Sequence, residues 1–179
     1  MIIDSARTKA YAAVNVALVE RNWLLGKRIA EEELQGEERA AYGASVIKKL
    51  SKELTEEYGK GFEETSLYWF VRFYKGFPEI FDTVCKKSVL RLSWSHFRTL
   101  LQVEDSSART WYMQEAISQT WSVRTLQRNI SSQYYYRLLQ SQRKDLVEKE
   151  MLEITAPMQD TDKYEFVKNP VVAEFLGLA

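Results

Sequence analysis

The sequence predicts an all-α protein, and three observations indicate this class. Only 7 Gly and 3 Pro occur in 179 residues, so long turn-rich regions are not expected. Apolar residues make up 45% of the chain, which is enough for a sizeable core. Apolar side chains recur every three or four residues, the spacing of an amphipathic helix. We therefore expect a multi-helix domain containing a helix-turn-helix-like unit, with a long N-terminal helix and a short irregular C-terminal segment.

The longest predicted helix is the first one, over residues 4–34. Its apolar residues recur at multiples of three and four positions: Tyr11, Val14, Leu18, Leu25 and Ile29. A helix of this length exceeds what one small core can cover. We therefore predict that the long N-terminal helix also joins two copies of the chain into a homo-oligomer.

Two shorter helices joined by a glycine turn are predicted next. Residues 44–58 carry one apolar row: Ile47, Leu50, Leu54 and Tyr58. Gly59 stands where a left-handed residue would end this helix, and Gly61 allows a tight turn. Thr65 or Ser66 is expected to cap the helix that follows. Helix, turn and helix together have the shape of the helix-turn-helix found in DNA-binding proteins.

The middle of the chain begins with a basic stretch whose structure the sequence leaves open. Residues 82–94 fit a loop, a short strand pair or a broken helix. A short helix over residues 92–101 follows and contains His96, the only histidine. Asp105 is a strong candidate N-cap for a further helix over residues 106–119.

The last predicted helix starts at Ser122 and continues to about Leu152. Its apolar row is Val123, Leu126, Ile130, Tyr134 and Leu138. Pro157 and its polar neighbours then break the helical pattern. We accordingly divide the chain into a helical domain, residues 1–152, and a linker-like segment, residues 153–179.

Charge is distributed unevenly although the formal net charge is zero. Residues 1–85 carry 12 Lys/Arg and 14 Asp/Glu, residues 86–144 carry 10 and 3, and residues 145–179 carry 3 and 8. A basic middle between acidic ends is typical of proteins that bind a polyanion. The alternative, which charge alone leaves equally open, is a set of solvated helix faces.

The sequence lacks the residues that several classes of protein require. No apolar run approaches the roughly 20 residues of a membrane-spanning helix, and the N-terminus is not a secretory signal. A single cysteine, Cys85, excludes an internal disulfide framework and fits a cytoplasmic location. One His and one Cys do not make a zinc site. We predict no metal site, no membrane contact and no cofactor.

Catalytic residue sets are also not found. Ser93 and Ser95 flank His96, but neighbours in a helix point in different directions and no nucleophile elbow is present. The carboxylate pairs are typical of solvated helix faces. The glycines at 59–61 lack the spacing of a phosphate-binding loop. We therefore predict that this chain has no catalytic residues.

The remaining residues favour nucleic-acid binding. Side chains in and before the second helix of the predicted helix-turn-helix could contact phosphates or bases: Lys60, Thr65, Ser66, Tyr68 and Arg72. The basic middle adds further candidates: Lys86, Lys87, Arg91, Ser95, His96, Arg98, Arg124 and Arg128. Among the aromatic residues, we interpret Trp111 and Trp121 as core, and Trp69 and Tyr135 as partner contacts.

Five sequence blocks, found in the same order, resemble the N-terminal domain of YhcG-type proteins, a family known as a domain of unknown function. The blocks are AYAAVNVALVERNWLLGKRIAEEE, GEERAAYGASVIKKLSKELTEEYGKGF, LYWFVRFYKGFP, LSWSHFRTLLQVED and ARTWYMQEAISQTWSVRTLQRNI. The resemblance implies a bacterial, cytoplasmic protein whose full-length form adds a C-terminal PD-(D/E)XK nuclease-like domain. KNPVVAEFLGL is similar to the start of that domain, which would make residues 153–179 a linker and a truncated beginning. The nuclease carboxylates would lie beyond Ala179, so this chain by itself is not expected to be an enzyme.

A second similarity involves ParB-like DNA-binding proteins. LSWSHFRTLL and SVRTLQ are similar to a pattern that follows the helix-turn-helix in those proteins. The matching positions are His96, Arg98, Leu100, Leu101, Ser122, Val123 and Arg124. Ser95 replaces a glycine of that pattern and Phe97 replaces a small alanine, which puts a close backbone approach to DNA in doubt at this helix.

Two functions from different classes follow. The first is a module of a PD-(D/E)XK nuclease that binds nucleic acid, in particular double-stranded DNA, and dimerises. The second is a protein-interaction or oligomerisation scaffold without direct DNA contact, in which the basic residues pair with the acidic ends. His96 also has two interpretations: its helix supports or touches a nucleic-acid backbone, or its ring is buried and hydrogen-bonded beneath the helices.

Overall fold

The computed structural model describes residues 2–33, 40–81 and 91–158. These ranges contain eight α-helices and no strand, so the predicted all-α class is confirmed. The described residues form two compact units, which we call the N-terminal unit (residues 2–33 and 40–81) and the C-terminal unit (residues 91–158). Within the described ranges, every helix is too short or too polar to cross a lipid bilayer.

The N-terminal unit is organised around its longest helix. Its helices are α1 (Ile2–Arg28), which continues as a π-helical turn (Ile29–Glu33), α2 (Ala40–Tyr58) and α3 (Glu64–Gly76). Helix α3 packs against both α1 and α2. The buried residues of α1 lie in its second half, because none of the described side chains from Ala6 to Ala17 is fully buried.

A glycine sets the closest approach of α1 to α3. A Cβ atom at Gly26 would lie 1.9 Å from the backbone oxygen of Phe70, so only glycine allows the two helices to come so near. On either side, Trp23 Nε1 donates to the Phe77 carbonyl at 2.9 Å, and the Tyr74 hydroxyl donates to Glu31 at 2.6 Å. The α1–α3 contact is therefore held by both packing and specific hydrogen bonds.

The glycine turn between α2 and α3 is confirmed, but the predicted cap of α3 is wrong. Gly59 and Gly61 adopt positive φ values of 83° and 101°. The N-cap of α3 is Glu63 rather than Thr65 or Ser66, which both lie inside the helix. The Glu63 carboxylate accepts hydrogen bonds from the Gly61 N–H and the Ser66 hydroxyl, both at 3.2 Å, and its side chain makes no capping hydrogen bond to the backbone of α3. Whether α2 and α3 form a helix-turn-helix-like unit stays a prediction.

The apolar row predicted for α2 extends too far. Tyr58, its last member, is 60% exposed, while Ile47 near the start of the row is fully buried. Tyr58 is the final residue of the helix, and its ring centroid lies 6.1 Å from that of Phe62. The row therefore reaches the core at one end only.

The C-terminal unit contains five short helices around one apolar core. They are α4 (Trp94–Leu100), α5 (Ser106–Ser118), α6 (Val123–Ser131), α7 (Tyr134–Gln140) and α8 (Lys144–Thr155), which is followed by a 3-10 turn (Ala156–Met158). The predicted caps of α5 and α6 are confirmed. Asp105 accepts from the Ser107 N–H at 2.8 Å, and Ser122 accepts from the Thr125 N–H at 3.0 Å.

The single helix predicted from Ser122 to Leu152 is wrong, because the chain turns at Gln133. This residue has a left-handed φ of 55° and separates α6 from α7. The turn brings Tyr134 into the core, where its ring centroid lies 5.4 Å from that of Trp111. The Tyr112 hydroxyl accepts the N–H of Tyr135 at 3.1 Å and satisfies one of the first N–H groups of α7. Tertiary contacts thus stabilise a break that the helical apolar spacing does not indicate.

Three earlier predictions concern parts of the chain outside the described residues. These are the ambiguous stretch at residues 82–90, the linker and irregular segment at residues 159–179, and the candidate phosphate ligands Lys86 and Lys87. The division of the chain at residue 152 stays a prediction as well.

Candidate nucleic-acid interface

His96 links two helices of the C-terminal unit from a buried position. Its Nδ1 accepts the N–H of Ser93 at 3.1 Å, which completes a capping box at the start of α4. Its Nε2 lies 2.9 Å from the Trp121 carbonyl oxygen, just before α6. Because a carbonyl can only accept, Nε2 carries the proton and the ring is neutral in this arrangement.

The ring of His96 is buried and hydrogen-bonded within the protein. The residue is only 8% exposed, and both ring nitrogens have protein partners, as in the second interpretation of this residue. Whether its helix supports or touches a nucleic-acid backbone stays a prediction. The role of the ring is to fix the start of α4 against the start of α6, which determines where the exposed side chains of both helices lie.

The exposed faces of α4 and α6 are basic. On α4, Ser95 and Arg98 are exposed one turn apart. On α6, Arg124 and Arg128 are exposed at i and i+4 and share one face. Arg91, which precedes the cap of α4, is also exposed. The structure thus brings five of the predicted site residues onto the outer surface of one unit.

The helices that carry these faces contain no acidic residue. Residues 91–103 and 116–143 contain no Asp or Glu, and together they include all of α4, α6 and α7. Glu104, Asp105 and Glu115 lie at the loop before α5 and on α5 itself. A surface with arginines and no carboxylates produces a positive local potential, which attracts polyanions.

Further basic residues of this unit contact backbone carbonyls or carboxylates. Arg109 donates to the carbonyls of residues 103 and 104, both at 3.0 Å. Arg137 pairs with Glu150 at 2.5 Å, and Arg143 pairs with Asp145 at 3.4 Å. The acidic helix α8 therefore neutralises part of the positive charge of residues 86–144. Such pairing is expected for the scaffold interpretation. It involves Arg137 and Arg143, which lie far from α4 in the sequence.

The N-terminal unit presents its candidate residues on one face of α3. Thr65, Tyr68 and Arg72 are exposed at i, i+3 and i+7, and Lys60 is exposed in the preceding turn. The Arg72 guanidinium lies 5.2 Å from the centroid of the Trp69 ring, a cation–π contact. Thr65, Tyr68 and Arg72 therefore share one face of α3, and their contact with a nucleic acid stays a prediction.

Glu63 changes the electrostatics of that surface. The backbone N–H groups of Glu63 and Gly61 hold the pKa of its carboxyl below the ordinary value, with the Ser66 hydroxyl and the charge of Lys60 as weaker contributions. The carboxylate is therefore ionised at neutral pH. It accepts the hydroxyl that Ser66 would otherwise offer to a phosphate, and it places a negative charge near Lys60.

An open groove on the C-terminal unit was not predicted as a site. It is lined by α5 and the start of α7, has a volume of about 410 Å³, and contains Ser106, Ser107, Thr110, Trp111, Gln114 and Tyr135. Tyr135 had been expected to contact a partner, whereas Trp111 had been assigned to the core and is in fact half-buried. The signal that could have revealed the groove is the helical spacing of the polar side chains at 107, 110 and 114.

Metal ligands do not cluster in the part of the chain that the structure describes. No group of three or more His, Cys, Asp or Glu side chains is placed there to hold an ion.

Comparisons with known proteins agree with the resemblance seen in the sequence. A family model described as the DUF1016 N-terminal domain matches residues 1–137. The chain is 34% identical, over 206 aligned positions, to the protein named "Putative nuclease YhcG" from Escherichia coli strain K12. This alignment covers 99% of the chain but 54% of that protein, so the chain spans about half the length of the curated relative. No solved structure matches.

Proposed function

The chain belongs to the family of the DUF1016 N-terminal domain, and from this premise we propose that it is the DNA-binding and dimerising module of a nuclease. In this proposal the module acts in the bacterial cytoplasm and binds double-stranded DNA. The chain supplies affinity and not catalysis, because cleavage would belong to the part of the full-length protein that it does not include. A relative that is a nuclease by name supports a nucleic-acid ligand.

The observation that carries the proposal is the pair of basic faces on α4 and α6. Arg98, Arg124 and Arg128 are exposed on helices that pack together and contain no carboxylate. Phosphate contacts provide most of the sequence-independent affinity for DNA, and arginine is well suited to them. The hydrogen bond from His96 to the Trp121 carbonyl fixes the start of α4 next to the start of α6, so the arginines on the two helices keep a defined spacing.

The test measures the affinity for a duplex of 20–30 base pairs as a function of salt. Reversing both charges on α6, in Arg124→Glu with Arg128→Glu, should reduce affinity at low salt about 100-fold. It should also lower the slope of log affinity against log salt by about two, because each neutralised phosphate contributes about 0.9. A glutamate in the first turn of a helix is electrostatically favourable, so the change at Arg124 should not unfold α6.

A matched control lies on α2 in the N-terminal unit. Lys48→Glu with Lys52→Glu reverses two exposed charges at the same i, i+4 spacing. It changes the net charge equally but should reduce affinity only severalfold and leave the slope nearly unchanged. If the two double variants lose affinity equally, the α6 face is not the binding surface.

Dimerisation through α1 is the second part of the proposal. The exposed alanines Ala6, Ala10, Ala13 and Ala17 are spaced by four, three and four residues, which is a heptad spacing. Leu24 continues the same row after one heptad and is 53% exposed. Small side chains on such a row allow two helices to approach closely. These features support contact between the α1 helices of two copies.

Sedimentation equilibrium of the full chain tests this contact. Ala13→Glu should shift a dimer towards the monomer, since it places a charge in the centre of the row. Ala12→Glu is the matched control, because Ala12 is exposed next to the row but not on it. A dimer that resists Ala13→Glu would contradict the α1 contact. A dimer that also shows no affinity for DNA would support the protein-interaction scaffold instead.

A further inference from the structure

The open groove between α5 and α7 is a candidate for recognition beyond the phosphate backbone. Its lining combines two aromatic side chains with the hydroxyls of two serines and one threonine and with one amide. The ring centroids of Trp111 and Tyr135 are 5.5 Å apart, and their planes are tilted by 46°. The groove therefore offers aromatic surface and hydrogen-bonding groups in the same place.

The lining contains no charged side chain, although charged residues are close in sequence. Arg109 lies on α5, but its guanidinium donates to backbone carbonyls. Asp105 precedes the groove, and hydrogen bonds from the Ser107 N–H and the Tyr136 hydroxyl hold the pKa of its carboxyl below the ordinary value. An ionised carboxylate at this edge disfavours a phosphate inside the groove. The group that fits there is an uncharged one.

The shape of the groove favours part of a polymer over a free small molecule. Its volume of about 410 Å³ exceeds that of one aromatic heterocycle, and it is open to solvent. Sites for free small ligands usually enclose most of the ligand surface. A nucleobase on a strand needs only its ring in the groove, while its sugar and phosphate remain in water.

We propose that this groove binds an unpaired nucleobase of a nucleic-acid strand. The base stacks on Trp111 or Tyr135, as bases do on aromatic side chains in single-strand binding proteins. The Gln114 amide can donate to and accept from the base edge. The Thr110 hydroxyl already donates to the Ser106 carbonyl at 2.9 Å, so it acts as an acceptor towards a base amino group. This inference rests on the proposed function, since it assumes that the chain binds nucleic acid.

The test compares two oligonucleotides that have equal charge and differ only in their bases. One is a 15-nucleotide oligothymidylate, and the other is an abasic strand of the same length. Phosphate contacts contribute equally to both, so any difference in affinity reports contact with bases. We expect the full chain to bind oligothymidylate about tenfold more tightly, the size of one stacked base.

Paired variants assign that difference to the groove. Tyr135→Leu and Gln114→Ala should each reduce the difference between the two strands at least threefold, at unchanged affinity for the abasic strand. Tyr58→Leu and Gln140→Ala are the matched controls, because both residues are exposed and neither lines the groove. Gln114 is exposed and alanine favours the helix, so this variant is expected to fold normally even if Tyr135→Leu does not.

A second readout follows the indole N–H signal of Trp111 by NMR. It should shift with oligothymidylate and not with the abasic strand. Equal affinity for the two strands, or a difference that survives both groove variants, would overturn the base site while the DNA-binding proposal stands. If neither strand nor a duplex binds, the proposed function itself fails, and the base site fails with it.

Discussion

The two units of this chain differ in how their candidate binding faces are surrounded. In the N-terminal unit, the face of α3 that carries Arg72 begins next to Glu63 and Glu64, and the Glu63 carboxylate accepts a hydrogen bond from Ser66. In the C-terminal unit, the faces of α4 and α6 contain arginines and no carboxylate. Similar polar and basic residues therefore occur in opposite electrostatic settings.

This difference assigns two contributions to binding, sequence-independent affinity and selective contacts, to different units of the chain. Sequence-independent affinity should come from the C-terminal unit, because its helices α4 and α6 combine exposed arginines with sequences that contain no carboxylate. The α3 face, with its hydroxyl, tyrosine and arginine, is better suited to selective contacts of moderate strength. The following changes test this division in order of decreasing expected effect.

The largest effect is expected at the α1–α3 crossing of the N-terminal unit. Gly26→Ala should lower the free energy of unfolding of this unit by about 3 kcal/mol or more, because the added methyl group meets backbone that cannot rotate away. Hydrogen exchange should show faster exchange in α1 and α3, with α5 and α6 still protected. Affinity for duplex DNA should remain within severalfold if the C-terminal unit carries it.

Gly59→Ala is the control for that change. A Cβ atom at Gly59 meets nothing within 4 Å, so only its left-handed φ of 83° opposes the substitution. The expected cost is about 1 kcal/mol. Equal destabilisation by the two substitutions would contradict the account of the crossing.

The next effect concerns the bridge that orders the basic faces of the C-terminal unit. His96→Leu should lower the free energy of unfolding by about 2–3 kcal/mol, since it leaves the Ser93 N–H and the Trp121 carbonyl without their partner. Urea denaturation measures this loss. His96→Gln, whose amide can still donate towards Trp121, should lose less. Should both variants be as stable as the original chain, the bridge does not hold α4 to α6.

Raising the pH above 10 should lower the free energy of unfolding of the C-terminal unit. Burial raises the pKa of Tyr134 to about 12 and also raises the pKa of Tyr112, while an unfolded tyrosine ionises near 10. Below pH 10 both states keep the proton and the stability is fully present. As the pH rises towards 12, the unfolded state loses the proton first, so stability falls.

Urea midpoints at pH 9 and pH 11 measure this dependence. The decrease in the urea midpoint from pH 9 to pH 11 should be smaller in Tyr134→Phe, which removes the ionisable hydroxyl. Tyr68→Phe in the N-terminal unit changes an exposed tyrosine and should leave the fall unchanged. An unaltered pH dependence in Tyr134→Phe would show that its ionisation does not contribute.

The smallest effect is expected for the carboxylate beside α3. Glu63→Gln should raise affinity for duplex DNA about twofold, a size typical of an exposed charge interaction. It removes one negative charge and weakens the competition for the Ser66 hydroxyl. Fluorescence anisotropy at low salt measures the change. Glu57→Gln is the control on α2, and an equal gain there would indicate a general charge effect and not a contact at α3.

The sequence predicted much of the surface of the candidate site and little of its interior. Exposed residues such as Arg98 and Arg124 follow from charge and helical spacing, which are visible without a structure. The role of His96 does not, because the same residue pattern fits a phosphate ligand and a buried bridge. Only the position of the Trp121 carbonyl, 25 residues away in sequence, decides between them.

Taken alone, the sequence determined the all-α class, the glycine turn and the caps of α5 and α6. These features depend on side chains and backbone groups within four residues of each other, so local spacing is sufficient. The tertiary structure decided the break at Gln133, the crossing at Gly26 and the groove between α5 and α7. Each of these depends on which distant groups meet in the core, such as the Tyr112 hydroxyl that accepts the Tyr135 N–H, and helical periodicity carries no information about such encounters.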